Sequence, residues 1–316
     1  MTLAPAIAFG PWLLGEVLGL GGFAEVRRAT PVVGGDAVAL KRLLPMLVDS
    51  PAARAAFEAE RVALALVRDR HVVQLLQTGE TRRLCWLALG LVDGVSLWQL
   101  LRSGPLAQGP AAAALHDAAL GLVACHAVDV LHGDLAPGNV LIDRLGTARL
   151  SDFGLAASPG GPDRVGGAGT PAFLDPEAAS GRRRSPQSDV FGLALLWVRT
   201  RVGTSPLGAG PAADQRRRAA VGDLDLGLVA AAIADLPQAA ADCVVAALRS
   251  RSSPPSAATF AAALAPVARR DALATLVLRA PSARVTTLDA AEERGEQVTD
   301  PRGETVTRVG LRTTSR

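Results

Sequence analysis

The chain has 316 residues, 49% of them hydrophobic, with 33 basic and 30 acidic side chains for a formal net charge of +3. That is enough apolar material for a core spread over two lobes, and too little net charge to make nucleic acid or a membrane surface the main partner. Cys85, Cys125 and Cys243 stand far apart without CxxC spacing, which argues against a disulfide framework or a zinc finger and fits thiols in a reducing cytoplasm.

No apolar run approaches the roughly 18 residues of a membrane helix, and the first ten residues lack the basic start of a signal peptide, so a soluble, cytoplasmic protein without a membrane span is expected. The chain contains one lysine, Lys41, one asparagine, Asn139, and no tyrosine. Apart from the histidines, arginine fills every other basic position. Lys41 and Asn139 therefore mark places where a substitute fails, since a guanidinium cannot replace a compact ammonium on a flexible stem.

Residues 12–18 and 24–30 read as strands joined by Gly19, Leu20, Gly21, Gly22 and Phe23. Glycines in such a turn let backbone N–H groups approach phosphates, although a lone pattern of this kind is more often a plain hairpin. The residues after the turn separate it from a dinucleotide fingerprint: Glu25-Val26-Arg27-Arg28 leads into a strand and a second turn at Gly34-Gly35, where a helix should begin. Residues 37–41 form the next strand, which ends on Lys41. Ser50 and Pro51 are an N-cap and first helical residue for a helix over 52–67. Its Glu60 lies one turn after the apolar Phe57, hence inward, and is the expected partner of Lys41 in preference to Glu58. A strand is expected at 72–76 and a buried one at 84–89, with a hinge at 90–94 beyond it.

Helices are expected at 96–102 and 110–130, the second with Leu115, Ala119, Leu122 and His126 on one stripe; His126 is expected to pack. The next loop, HGDLAPGN at 132–139, sets Asp134 and Asn139 five residues apart. They can face one phosphate as proton acceptor and metal ligand, though both residue types are also ordinary turn-formers. After a hairpin, Asp152 in Ser151-Asp152-Phe153-Gly154 brings a second carboxylate to a metal shared with Asn139. Residues 156–169 are rich in Gly and Pro and expected to be mobile. The stretch at 188–197 is too apolar for a surface helix and should be buried; helices at 238–248 and 256–267 complete the lobe. From 271 a short helix gives way to a polar, Thr-rich tail, expected to be mostly disordered.

GLGGFAEV (19–26), VALK (38–41), HGDLAPGN (132–139), DFG (152–154), GTPAFLDPE (169–177) and SDVFGLAL (188–195) occur in this order. Over about residues 11–268 the chain thus resembles the eukaryotic-like, or Hanks-type, serine/threonine protein kinases of bacteria. The resemblance implies an α+β, bilobal fold: an antiparallel β-rich N-lobe with one helix at 11–91, a mainly helical C-lobe at 92–268, and an extension at 269–316. It implies transfer of the γ-phosphoryl group of ATP to serine or threonine hydroxyls of a protein, with Mg2+ or, as a substitute, Mn2+. Gly19, Leu20, Gly21 and Gly22 would cover the nucleotide with Val26 and Ala39. Lys41 would hold the phosphates and pair with Glu60; Leu89, Gly90 and Val92 would line the adenine site, with Leu141 as its floor. Asp134 would accept the acceptor's proton, Asn139 and Asp152 would hold the metal, Thr170 would help position the acceptor, and Asp189 would brace the loop.

The departures from the family pattern matter as much. Gly133 stands where many members carry an arginine that clasps a phosphorylated loop, and residues 156–169 offer only Ser158 as a hydroxyl, so activation by loop phosphorylation is not expected. Ala136 stands where a lysine usually neutralises the migrating phosphoryl group; loss of such a donor costs about 2.7 to 4 kcal/mol, roughly 10²- to 10³-fold in rate. Asp175 replaces the usual alanine, and Pro254 an arginine that pairs with Glu177, unless Arg249 or Arg251 substitutes. Two rival functions remain open: a pseudokinase that binds nucleotide or a partner without transfer, and a small-molecule phosphotransferase of the aminoglycoside-kinase type, which shares HGDxxPGN but is not expected to carry the GTPAFLDPE segment. Tail threonines such as Thr286, Thr305 and Thr307, once phosphorylated, would recruit a phosphothreonine-binding partner.

Overall fold

The computed structural model describes residues 7–154, 169–249 and 254–280. Ser158, Arg251 and the tail threonines lie outside these residues. Among them, the N-terminal lobe is one antiparallel sheet of β1 (Ile7–Phe9), β2 (Trp12–Leu20), β3 (Ala24–Pro31), β4 (Val38–Leu43), β5 (Leu75–Thr81) and β6 (Leu84–Gly90), in the order β1-β2-β3-β4-β6-β5. Alternation along the strands gives the sheet two apolar faces. Phe9, Trp12, Leu14, Leu40 and Trp86 form one cluster, in which Trp12 and Trp86 meet edge to face at 5.6 Å. On the other face Leu43 and Leu87 pack with Phe57 and Leu64 of α1 (Pro51–Leu66). That helix starts where the sequence directs: the Ser50 hydroxyl accepts from Ala53 N–H at 3.3 Å, and Pro51 fills the first position.

The strand expected at 72–76 is displaced. Val72 and Val73 are buried, but they meet the large lobe: Val73 N–H donates to Leu150 O at 2.9 Å, and β5 begins only at Leu75. Their apolar side chains bridge the lobes, which a strand pattern alone does not reveal.

The large lobe opens with β7 (Gly94–Ser96), α2 (Leu97–Leu101) and α3 (Gln108–His126). A three-stranded sheet then joins β7 to β8 (Val140–Asp143) and β9 (Ala148–Leu150). Next come α4 (Pro176–Ala179), α5 (Pro186–Val202), α6 (Ala212–Val221), α7 (Leu226–Ile233), α8 (Gln238–Arg249), α9 (Ala257–Leu264) and α10 (Arg270–Arg279). The apolar α5 is the hub: Leu193 to Val198 are all buried, and α3, α7 and α8 pack around it. Trp197 at its centre donates to Ala232 O at 3.0 Å, so its one polar atom is satisfied. Among the described residues no helix is long and apolar enough to cross a membrane.

Helix α10 begins where the extension was expected to start, yet it packs on α3. Arg270 clasps Asp117 of α3 with two bonds of 2.6 Å, and Asp117, 0% exposed, also accepts from Ala148 N–H at 3.0 Å and contacts His116 Nδ1 at 3.2 Å. Burial alone pushes Asp117 up, but the bonds from His116, Arg270 and the Ala148 amide outweigh it and hold the carboxyl at about 2. The helical lobe therefore includes α10.

Candidate active site

Gly19 and Leu20 end β2, and the turn to β3 closes through Gly21 N–H donating to Ala24 O at 2.8 Å. No heavy atom lies within 4 Å of a Cβ placed on Gly22, so this backbone is open to a close approach. Val26 faces Gly19 on one side and Lys41 on the other, while Ala39 pairs with Leu89 and Val38 with Gly90. One sheet thus carries the glycine turn, the lysine and the start of the connection at Gly90, Leu91 and Val92. Leu141, half-buried in β8, pairs with Ser96 in the other lobe.

Lys41 Nζ bonds Glu60 Oε1 and Oε2 at 2.7 and 2.6 Å and Asp152 Oδ1 at 2.9 Å. Lys41 is 8% and Glu60 2% exposed, whereas the Asp152 side chain is about 50% exposed. Burial opposes the ammonium, but Asp152 and Glu60 together raise its pKa above the ordinary lysine value, so it stays charged. Lys41 in turn holds the Asp152 carboxyl below the usual range, and burial pushes Glu60 up. The loop carrying Asp152 is set by strain and packing: Asp152 has φ +60°, and Phe153 beside it is fully buried with its ring 4.7 Å from His132.

On the opposite side Asp134 Oδ1 accepts from Thr170 N–H at 2.8 Å, and Asn139 Nδ2 donates to Asp134 O at 2.8 Å. Ser151 N–H donates to Asn139 O at 2.9 Å, which sets Asn139 beside the segment bearing Asp152. Asn139 and Asp152 both offer hard oxygen donors of the kind Mg2+ takes. Asp189, buried at the start of α5, accepts from the backbone N–H groups of His132 at 3.0 Å and Gly133 at 2.9 Å, and from His126 Nε2 at 2.9 Å. Burial pushes its carboxyl up, but the bond from His126 and the amides bring it below the usual range. His132 adds a bond no sequence pattern assigned: with the proton on Nε2 it donates to Ser151 O at 3.1 Å and accepts Asp134 N–H on Nδ1 at 3.3 Å.

A model of the protein kinase domain matches residues 12–241. The chain belongs to the protein kinase family. Serine/threonine-protein kinase PkaA of Streptomyces coelicolor is 36% identical over 221 residues, 64% of this chain and 40% of that protein. Serine/threonine-protein kinase PknD of Mycobacterium tuberculosis is 33% identical over 202 residues, 63% of this chain and 30% of that protein. Putative CBL-interacting protein kinase 13 of Oryza sativa subsp. japonica is 32% identical over 182 residues, 56% of this chain and 36% of that protein. The chain thus matches well under half the length of these relatives.

Within this kinase domain the departures have local reasons. Gly133 has φ +77°, a left-handed conformation that aims its N–H at Asp189. Ala136 is buried in the core beside Leu135 and Pro137. Asp175 is the N-cap of α4, accepting from Glu177 and Ala178 N–H at 3.3 and 3.2 Å with Pro176 at the first helical position; Asp-Pro-Glu is a start signal readable from sequence. Glu177 and Arg249 are both exposed, and among the described residues no ion pair joins them.

Proposed function

We propose that the chain is an ATP- and Mg2+-dependent serine/threonine protein kinase, with an N-lobe at about 11–91, a C-lobe from 92 that runs on through α10, and transfer slowed by Ala136. One observation carries the reading: the ammonium of Lys41 is held at 2.6 to 2.9 Å by a glutamate from α1 and an aspartate from the far lobe, which joins both lobes at one charge. That geometry suits a point charge aimed at nucleotide phosphates. Gly19 to Gly22, Val26 and Ala39 cover the nucleotide, Leu89, Gly90 and Val92 take the adenine, and Leu141 lies beneath it. Bound magnesium would neutralise phosphate charge as transfer proceeds; Asn139 and Asp152 are the residues that would hold it.

Asp134 orients the acceptor hydroxyl and takes its proton. The Thr170 amide engages Oδ1, and we assign the second oxygen to the acceptor. Asp189 keeps the loop's amides fixed, so Asp134 is positioned without reorganisation. Three free thiols accord with a reducing compartment. Tail threonines are the acceptors we propose for self-phosphorylation, after which a phosphothreonine-binding partner docks. The absence of any cation at 133 and 136 favours a second reading, a pseudokinase that binds nucleotide alone.

The test traces phosphate from labelled Mg-ATP into the protein itself and into a generic Ser/Thr substrate, for wild type, Asp134→Asn and Ala136→Lys. We expect measurable transfer in wild type, none in Asp134→Asn, and a rise of roughly tenfold or more in Ala136→Lys. Nucleotide binding with transfer no higher than in Asp134→Asn would establish the pseudokinase; transfer to a small aminoalcohol but to no protein would point to the aminoglycoside-kinase type.

A further inference from the structure

Beside the connection at 90–93 lies a groove of about 630 Å3, lined by none of Lys41, Asp134, Asn139 and Asp152. One wall is the segment 67–74 between α1 and β5, and the other is the turn 143–145 after β8 together with Arg149. Val67 and Val73 are buried in it, Leu91 is half-buried, and Leu145 is 77% exposed. Four arginines and three aspartates share the lining. Arg144 pairs with Asp93 at 2.9 Å and Arg149 with Asp143 at 2.8 Å, while Asp69 Oδ1 accepts His71 N–H at 2.7 Å. Arg68 and Arg70 are exposed, and among the described residues neither side chain makes a hydrogen bond or an ion pair. The groove thus offers apolar surface and, on one wall, two unengaged cations.

The chain itself carries a complement. Helix α10 touches β7 and β8 and abuts the groove's own turn: a Cβ placed on Gly146 would lie 2.6 Å from Arg270 O and 3.0 Å from Ala274 N. Residues 281–316 therefore leave a helix that is packed beside the groove. Of these, 285–300 carry Asp289, Glu292, Glu293, Glu296 and Asp300 against Arg294 alone, with Val285 and Leu288 ahead of the acidic run. Residues 301–316 carry four arginines and one glutamate, so only the earlier part matches the groove in charge. A chain advances at most about 3.3 to 3.6 Å per residue, which lets Leu288, eight residues after Ala280, reach roughly 26 to 29 Å. A tether this short holds the segment at an effective concentration on the order of 1 mM, so weak contacts suffice.

We infer that residues 285–300 dock in this groove, Val285 and Leu288 against Leu91 and Leu145 and the acidic run against Arg68 and Arg70. The tail then straps one wall of the groove to the other. This does not rest on phosphate transfer. Hydrogen exchange of the full chain tests it, read over 285–300 at low and high salt and at two protein concentrations, with the same segment in the urea-unfolded chain as reference. At low salt, exchange in the native chain is slowed roughly threefold to tenfold at both concentrations, and the slowing shrinks with salt. Arg68→Glu/Arg70→Glu abolishes the slowing while thermal unfolding stays unchanged, because neither side chain is engaged. Glu292→Arg/Glu293→Arg abolishes it as well, and the four changes combined restore it. Exchange at the unfolded rate in wild type, slowing that survives either reversal, or failure of the combined variant to restore it overturns the inference. Slowing that rises with protein concentration assigns the groove to a second copy of the chain and overturns it too.

Discussion

The two sides of the cleft are built on different physics. On the nucleotide side one buried ammonium is shared by two carboxylates at hydrogen-bonding distance, and losing the ammonium strands both carboxylates. On the acceptor side the loop from His132 to Asn139 is held by backbone amides on Asp189, by a left-handed glycine and by His132, and contains no cation. A charge-paired device resists loss of its one cation; a backbone-held loop can lack flanking charges and keep its shape. This accords with Lys41 being the only lysine while glycine and alanine stand at 133 and 136.

The contrast breaks first at Lys41. Lys41→Met leaves Glu60 buried and Asp152 without a counter-charge, so we expect phosphate transfer to fall roughly 10²- to 10³-fold. Stability should fall too, by up to about 3 to 5 kcal/mol, less whatever Glu60 regains by taking up a proton. Transfer assays and urea unfolding check both; a variant as stable and active as wild type would show that the triad is not what joins the lobes.

Next is Asp189→Asn, which turns an amide N–H toward one of the backbone donors. One buried donor then loses its acceptor, at about 1 to 3 kcal/mol. Nucleotide affinity should stay near wild type while transfer drops with the loosened loop, a split that separates the two sides in one variant.

Asp117 repeats the charge-paired design away from the cleft, and its sign is checkable. Its pKa falls from an ordinary 3.8 to about 2 on folding. A depressed carboxylate stabilises the fold above its unfolded pKa, and the contribution disappears as pH drops through about 4 toward 2. The shift corresponds to about 2 kcal/mol. Arg270→Ala should cost about 1 to 2 kcal/mol at neutral pH, below the fully buried case because Arg270 is 38% exposed, and it should raise the midpoint of acid unfolding. Transfer activity should not change.

These residues differ in how far sequence exposes them. Lys41, Asp134, Asn139, Asp152 and Asp189 stand in short runs whose order carries meaning, and the inward place of Glu60 comes from helical phase after Phe57. Asp117 has no such signal: it sits in the alanine-rich helix α3, and its cation is 153 positions away, a pairing only the folded chain makes. For the same reason sequence alone separates α10 from the lobe that Arg270 ties it to. Val72 and Val73 read as strand because burial against another lobe and burial within a sheet leave the same apolar pattern. Asp175 looks like a lost alanine, although Asp before Pro is also a helix start.

The smallest effect tests the acceptor side's dependence on backbone geometry. Gly133→Ala adds only a methyl group, at a position with φ +77°, and removes no charge or hydrogen bond. The left-handed conformation should cost about 1 kcal/mol for a residue with a Cβ, seen as a lower denaturation midpoint. An arginine would meet the same strain, so Gly133→Arg should show a similar loss and no gain in transfer, given that Arg clasps a phosphate the loop does not carry in the unmodified chain. Nucleotide affinity should hold in both variants, because the Lys41 triad does not pass through Gly133. If Gly133→Ala is neutral in stability, the loop does not depend on that glycine, and its shape rests on Asp189 and His132 alone.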